Sequence, residues 1–132
     1  MKYVVGARGS KLSMAQTNWV ISELKKVNPN LEYEIKPITT KGDTDTRPLF
    51  TIEQKGIFEK EIDKAVAERE VDFAVHSLKD VPSQLADNLI IASIPKREKV
   101  NDVFISSDGS SLDKIKSGSV VGTSSLRRAV QI

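Results

Sequence analysis

A chain of 132 residues that is 39% hydrophobic and 29% charged can bury a real core and has a globular rather than a disordered composition. Its net charge of +2 at pH 7 is too small to argue for a nucleic-acid partner. The lack of cysteine excludes disulfides, thiolate metal sites and a thiol nucleophile, and no stretch approaches the roughly 18 apolar residues of a membrane span.

The opening MKYVVGARGS holds too short an apolar run for a signal peptide, so a soluble cytoplasmic protein is the default expectation. Tyr3-Val4-Val5 is a β-prone run that should stop at Gly6. Ser10 is the expected N-cap of a helix over residues 11 to 27. Leu12, Ala15, Trp19, Val20, Leu24 and Val27 recur at helical spacing and form its expected apolar face. Asn28-Pro29-Asn30 breaks the helix. Residues 31 to 40 alternate apolar and polar and read as a strand, with Pro37 pointing to an edge position or a bulge. Residues 41 to 55 have no steady period and read as a long loop.

A second helix should then carry Phe58, Ile62, Ala65 and Val66 inward and Glu59, Lys60, Glu61, Asp63 and Lys64 mostly outward. Residues 71 to 75 read as a strand. The continuous apolar run at 89 to 94 reads as a strand buried on both faces. Pro95 to Lys99 is a polar break and a candidate linker. Beyond it the expected elements are a strand at 103 to 105, a short helix at 112 to 116, a strand at 119 to 122 and a final helix opened by Ser124. Arg128 to Ile132 stays in helical phase without a stop signal, so the chain is expected to be a piece cut inside a helix. Strands alternating with helices predict an α/β fold with a mostly parallel sheet.

Ligands of open α/β sheets bind beyond the carboxyl ends of the strands. Arg8 and Ser10 follow the first expected strand, and Lys41 and Asp43 the second. Ser77, Lys79 and Asp80 follow the third, and Thr123, Ser124, Ser125, Arg127 and Arg128 the last. Such an edge suits a ligand with several carboxylates or phosphates, gripped by arginine forks and lysine point charges. Each residue also has a plain structural reading. His76, the single histidine, fits a satisfied strand-end residue. Asp80 fits a turn cap before Pro82. Arg127 and Arg128 fit a solvated helix face, and Trp19 and Phe58 fit the core. The coincidence of several such groups at strand ends favours a site. A carboxylate at Asp80 is not needed to bind an anion. It makes sense if positive charge develops on the ligand during a reaction. A binding module without catalysis is the alternative. Nucleic-acid binding is weakly supported and would show a steep salt dependence.

The segments Arg8-Gly9-Ser10 with Gln16, TTKGD at 39 to 43, KGIFEKE at 55 to 61, DFAVHSLKDVP at 72 to 82 and VGTSSLRR at 121 to 128 resemble porphobilinogen deaminase (hydroxymethylbilane synthase). They stand in family order and cover the N-terminal part of a family chain. The resemblance implies stepwise condensation of four porphobilinogen units to hydroxymethylbilane with release of ammonia, in tetrapyrrole biosynthesis. It implies a type II periplasmic-binding-protein-like domain at residues 1 to 95, lacking a segment that returns later in the family chain. A hinge at 96 to 99 and the start of a second similar domain at 100 to 132 would follow. It implies a dipyrromethane cofactor, attached through a cysteine that this chain does not contain, so no covalent cofactor and no turnover are expected of the chain alone.

By the same resemblance Asp80 is the catalytic acid. Arg8, Ser10, Lys79, Asp80, Thr123, Ser124, Ser125, Arg127 and Arg128 bind the cofactor. Arg8, Gln16, Ser77 and Lys79 bind substrate, and Lys55 and Lys60 lie on or beside a loop over the cleft. Family members often carry a glycine pair where Glu53-Gln54 stand here, a departure directly before Lys55. The implied partners are polycarboxylate pyrroles, with no metal, nucleic acid or membrane. The whole family enzyme is implied to be a monomer, and a fragment with an open sheet edge is expected to self-associate.

Overall fold

Three parallel strands form one sheet in the order β2-β1-β3. They are β1 (Lys2–Arg8), β2 (Glu32–Ile38) and β3 (Phe73–Ala74). The structure, a computed structural model, describes residues 1–44 and 58–132. The fold is α/β, and the chain divides into two compact units, Met1–Pro95 and Lys96–Ile132.

Strand β1 is central, and Val5 and Ala7 on one of its faces are fully buried. Gly6 does not end the strand as expected. A Cβ there would meet Val71 Cγ2 at 3.1 Å, Ile62 Cγ2 at 3.4 Å and Ile38 Cδ1 at 3.5 Å. The missing side chain lets neighbouring elements close on the backbone, so glycine here serves packing rather than a turn.

The first helix, α1 (Lys11–Val27), forms over the expected span, and Ser10 caps it by accepting from the Ser13 N–H at 3.3 Å. Its rotational phase differs from expectation. Thr17 and Ile21 are buried, with Val20 and Leu24 half-buried, whereas Leu12, Ala15 and Val27 are exposed and Trp19 is 45% exposed. Trp19 is therefore not a core residue. Thr17 can take a buried place because its hydroxyl donates to the Ser13 carbonyl at 2.8 Å.

Strand β2 lies at the sheet edge, which is where Pro37 can pair with Ala7 without disrupting a second ladder. Lys36 bonds Glu70 at 2.7 Å and Lys2 pairs with Glu34 at 2.5 Å along this edge. Charges of this kind discourage edge-to-edge pairing. Part of the expected loop from 41 to 55 is helical instead: α2 (Lys41–Thr44) is one short turn. Asp43 accepts from both the backbone N–H and the hydroxyl of Thr40, at 3.1 and 2.8 Å. That is a capping box with aspartate at its far end. Lys55 and the Glu53-Gln54 departure lie outside the described residues.

In the second long helix of the unit, α3 (Lys60–Ala67), Ile62 and Ala65 are buried as expected. Glu59 is corrected from outside to inside, being 5% exposed. The helix ends in a Schellman turn. Glu70 N–H donates to the Ala65 carbonyl, Arg69 N–H donates to the Val66 carbonyl, and Arg69 takes φ 61°. Glycine is the usual residue at such a position.

Strand β3 is shorter than the expected 71 to 75, but its flanks continue the pairing: Asp72 N–H donates to Val4 O and Val75 N–H to Gly6 O. The run at 89 to 94 is not a buried strand. It has no regular structure, and Ile90 is 84% exposed. The expected strands at 103 to 105 and 119 to 122 are likewise unformed. A strand needs a partner for its backbone groups, and the sheet of the described residues ends at β3. The second unit holds a single 3-10 turn at Leu112–Lys114 and the helix α4 (Leu126–Gln131). Ser125, one residue later than expected, is the N-cap of α4.

Candidate functional site

Because all three strands run parallel, their carboxyl ends share one edge. The chain leaves β1 for β2 on one side and reaches β3 on the other. The loops after β1 and β3 therefore flank the point where strand order reverses, the usual ligand crevice of such sheets.

After β1, the Arg8 N–H donates to Ser13 Oγ at 3.1 Å. The Arg8 guanidinium forks onto Asp43 Oδ1, with Nε at 3.0 Å. The same guanidinium lies 4.1 Å from the centre of the Phe58 ring, a cation–π contact. Phe58 is thus a stacking partner and not only a core residue. Burial pushes the Asp43 carboxyl up, but the hydrogen bonds from Arg8 and Thr40 outweigh it and hold it below its ordinary value.

After β3, the Ser77 hydroxyl donates to Gln16 Oε1 at 2.9 Å, which ties this loop to α1. Ser77 also opens a 3-10 turn over Leu78–Asp80, closed by the Asp80 N–H donating to the Ser77 carbonyl at 2.9 Å. Lys79 is exposed and Asp80 half-buried on that turn. Among the described residues neither has a side-chain hydrogen bond to another. His76 sits just before, its Nε2 3.5 Å from Asp63 Oδ1 of α3. Burial raises the Asp63 carboxyl above its ordinary value, and the His76 charge opposes the rise.

Of the sequence-derived candidates, Arg8, Ser10, Gln16, Ser77, Lys79 and Asp80 thus fall on this edge of the first unit. Lys60 is the exposed first residue of α3. Thr123, Ser124, Ser125, Arg127 and Arg128 belong to the second unit. There Thr123 Oγ1 accepts from the Ser125 N–H at 3.2 Å, and Ser125 Oγ accepts from the Arg128 N–H. Ser124 is exposed beside them. Arg127 and Arg128 are not a freely solvated pair. Both clamp Asp102, Arg127 Nη2 at 2.8 Å and Arg128 Nε and Nη2 at 2.9 and 2.6 Å.

The hydrogen bonds from Arg128 and then Arg127 lower the Asp102 carboxyl to about 2. A depressed folded value means that the clamp is fully present above the ordinary carboxylate value of 3.8 and is lost as pH falls through about 2. A carboxyl-carbon NMR titration of Asp102 should show this low midpoint. Arg128→Gln together with Arg127→Gln should return it toward 3.8. A low midpoint that persists in the double variant would exclude the clamp as its cause.

Sequence reasoning missed Asp43, Asp63 and Asp102 as partners of the site's cations and histidine. Asp43 had a signal, the Thr-x-x-Asp spacing after β2. Asp102 had none, because it lies 25 positions before Arg127 and meets it only on folding. Among the described residues no group of three or more His, Asp or Glu side chains could hold a metal, and no helix is long and apolar enough to cross a membrane.

A parallel sheet whose carboxyl edge gathers hydroxyls, an amide, cations and the carboxylates of Asp43 and Asp80 defines an α/β protein with a polar, charged crevice edge. More specifically, residues 3–132 match the porphobilinogen deaminase family, in its dipyromethane cofactor binding domain, and the chain belongs to that family. It is 80% identical over 132 residues to the "Probable porphobilinogen deaminase" of Nitrosopumilus maritimus, covering all of this chain and 42% of that protein. It is 50% identical to the porphobilinogen deaminase of Listeria monocytogenes and 49% identical to that of Brevibacillus brevis, covering 99% of this chain and 43% of each relative. The chain spans less than half the length of these relatives.

Proposed function

We propose that this chain is the N-terminal part of an enzyme that condenses four porphobilinogen units into hydroxymethylbilane with loss of ammonia. The observation that carries the proposal is the placement of the HSLKD turn beside Arg8, Ser10 and Gln16 at one sheet edge, tied there by the Ser77–Gln16 bond. Residues 1 to 95 would form a first domain of the type II periplasmic-binding-protein kind, 96 to 99 a hinge, and 100 to 132 the opening of a second domain. The exposed apolar run at 89 to 94 supports a sheet completed by a further segment.

The donor set fits a dipyrromethane, whose pyrrole N–H groups and acid arms suit a carboxylate surrounded by cations and hydroxyls. Lys79, Ser10, Ser77 and Gln16 supply donors from the first unit. Thr123, Ser124, Ser125, Arg127 and Arg128 are a separate set of donors within the second unit, proposed to bind the cofactor on the family resemblance alone. Arg8 is held in place by Asp43 and stacked on Phe58, which leaves its Nη1 to donate to a ligand carboxylate. Asp80 carries the chemistry. Its carboxylate would accept from the pyrrole N–H groups of a bound dipyrromethane and would stabilise the cation that develops on porphobilinogen as ammonia departs. The chain has no cysteine, so covalent attachment of the cofactor falls to a residue outside these 132.

The intact mass of the native protein, captured with an antibody raised against this chain, tests the proposal. A species of more than twice this chain's mass, with a dipyrrole adduct on cysteine, is the expected result. The 132-residue chain incubated with porphobilinogen should form no tetrapyrrole. Sustained formation by the cysteine-free chain would overturn the assignment of roles.

A further inference from the structure

The imidazole of His76 is 16% exposed, and its buried Nε2 has no hydrogen-bond partner among the described residues. A buried polar atom left bare is disfavoured, so the strand-end histidine is not a satisfied one. Asp63 Oδ1 stands 3.5 Å away, just beyond a good hydrogen bond. A movement of a few tenths of an ångström would close it. The sign of the contact depends on the proton count of the pair. With a proton on Nε2 facing the carboxylate it is attractive, and with a bare Nε2 lone pair facing that carboxylate it is repulsive.

The surroundings limit what else could answer this histidine. From α1 the neighbouring group is Gln16, neutral and engaged by Ser77. From β1 the Arg8 guanidinium is committed to Asp43 and Phe58. From α3 comes Asp63. The backbone at 76–77 is thus tied to α1 by the Ser77–Gln16 bond and approached by α3 through the Asp63–His76 contact. The turn bearing Lys79 and Asp80 begins at the next residue.

We propose that Asp63 and His76 are a positioning pair, through which α3 sets the orientation of the turn that carries Lys79 and Asp80. Neither touches the ligand in this role. They act through the turn, and the catalytic consequence rests on the role proposed above for Asp80.

NMR on this chain tests the pair directly, because His76 is its single histidine and its ring signals are unambiguous. The turn is read through the Leu78 and Lys79 amides in an Asp80→Asn background, which removes the turn's own carboxylate. These amides and the His76 ring signals should show a shift whose midpoint is that of the Asp63 carboxyl carbon. Asp63→Asn should abolish the coupled shift, and His76→Gln should raise the Asp63 midpoint, since the opposing charge is gone. Leu78 and Lys79 amides that stay still through the titration, or that shift equally in Asp63→Asn, would overturn the inference. Should either variant fail to fold, the titration with both residues present still decides it. In a protein of the relatives' length, Asp63→Asn should move the pH profile of kcat, with less effect on KM. An unmoved profile would overturn the catalytic part. Absence of all turnover in the unmutated protein would instead count against the proposed function, while the NMR titration would still decide the pairing of Asp63 with His76.

Discussion

Asp80→Asn in the working enzyme is expected to lower tetrapyrrole formation by about 10²–10³-fold, the usual cost of removing one group aimed at developing charge. Asparagine keeps the shape and one acceptor, so the 3-10 turn over Leu78–Asp80, closed by a backbone bond, should persist. Affinity for a polycarboxylate should change little or rise, because a negative charge leaves a cationic edge. The effect should therefore fall on kcat rather than KM. Paired turnover and binding measurements check this. Equal loss of binding and turnover would assign Asp80 to scaffolding. Unaltered anion binding by a protein without any turnover to lose would favour a non-catalytic binding module on the same fold.

Ile62→Ala is expected to cost about 2–5 kcal/mol of stability, as for other buried isoleucines. Ile62 is fully buried, and its Cγ2 lies 3.4 Å from where a Cβ on Gly6 would stand. It therefore packs on the bare backbone of β1, with no glycine side chain to move into the space left. Among the described residues the fully buried apolar ones of the unit are few, Val5 and Ala7 being the others, and total stabilities of small domains are only about 5–15 kcal/mol. Much of the unit's stability should vanish with this one side chain. Urea denaturation followed by circular dichroism measures the loss. A cost under about 1 kcal/mol would mean that the core closes over the cavity or that Ile62 is not held as described. Because α3 also carries Asp63, the same variant should loosen the His76 contact.

The helices were largely legible. Ser10 marked the start of α1, and Asn28-Pro29 marked its end, because capping and breaking are settled within a few residues. The rotational phase of α1 was not. Trp19 is larger and more apolar than Thr17, yet Thr17 is buried and Trp19 is largely exposed. What decides this is the direction from which β1 approaches. Strand 89 to 94 misled for the related reason that an apolar run shows readiness to be buried but does not supply the partner. Gly6 looked like a terminator and is a packing contact, since only the folded sheet brings Val71 and Ile62 against it.

The site divides along the same line. HSLKDVP and GTSSLRR pointed to the family and to its candidate residues, because motif order and spacing are properties of the chain itself. The sequence by itself thus determined the α/β class, the family and the identity of the chemical groups. The tertiary structure alone decided which charges answer each other: Asp43 to Arg8, Asp63 to His76, and Asp102 to Arg127 and Arg128. These partners lie 13 to 35 residues apart. Charge pairing acts over a few ångströms, and no local pattern shows which distant residues folding will bring within that range.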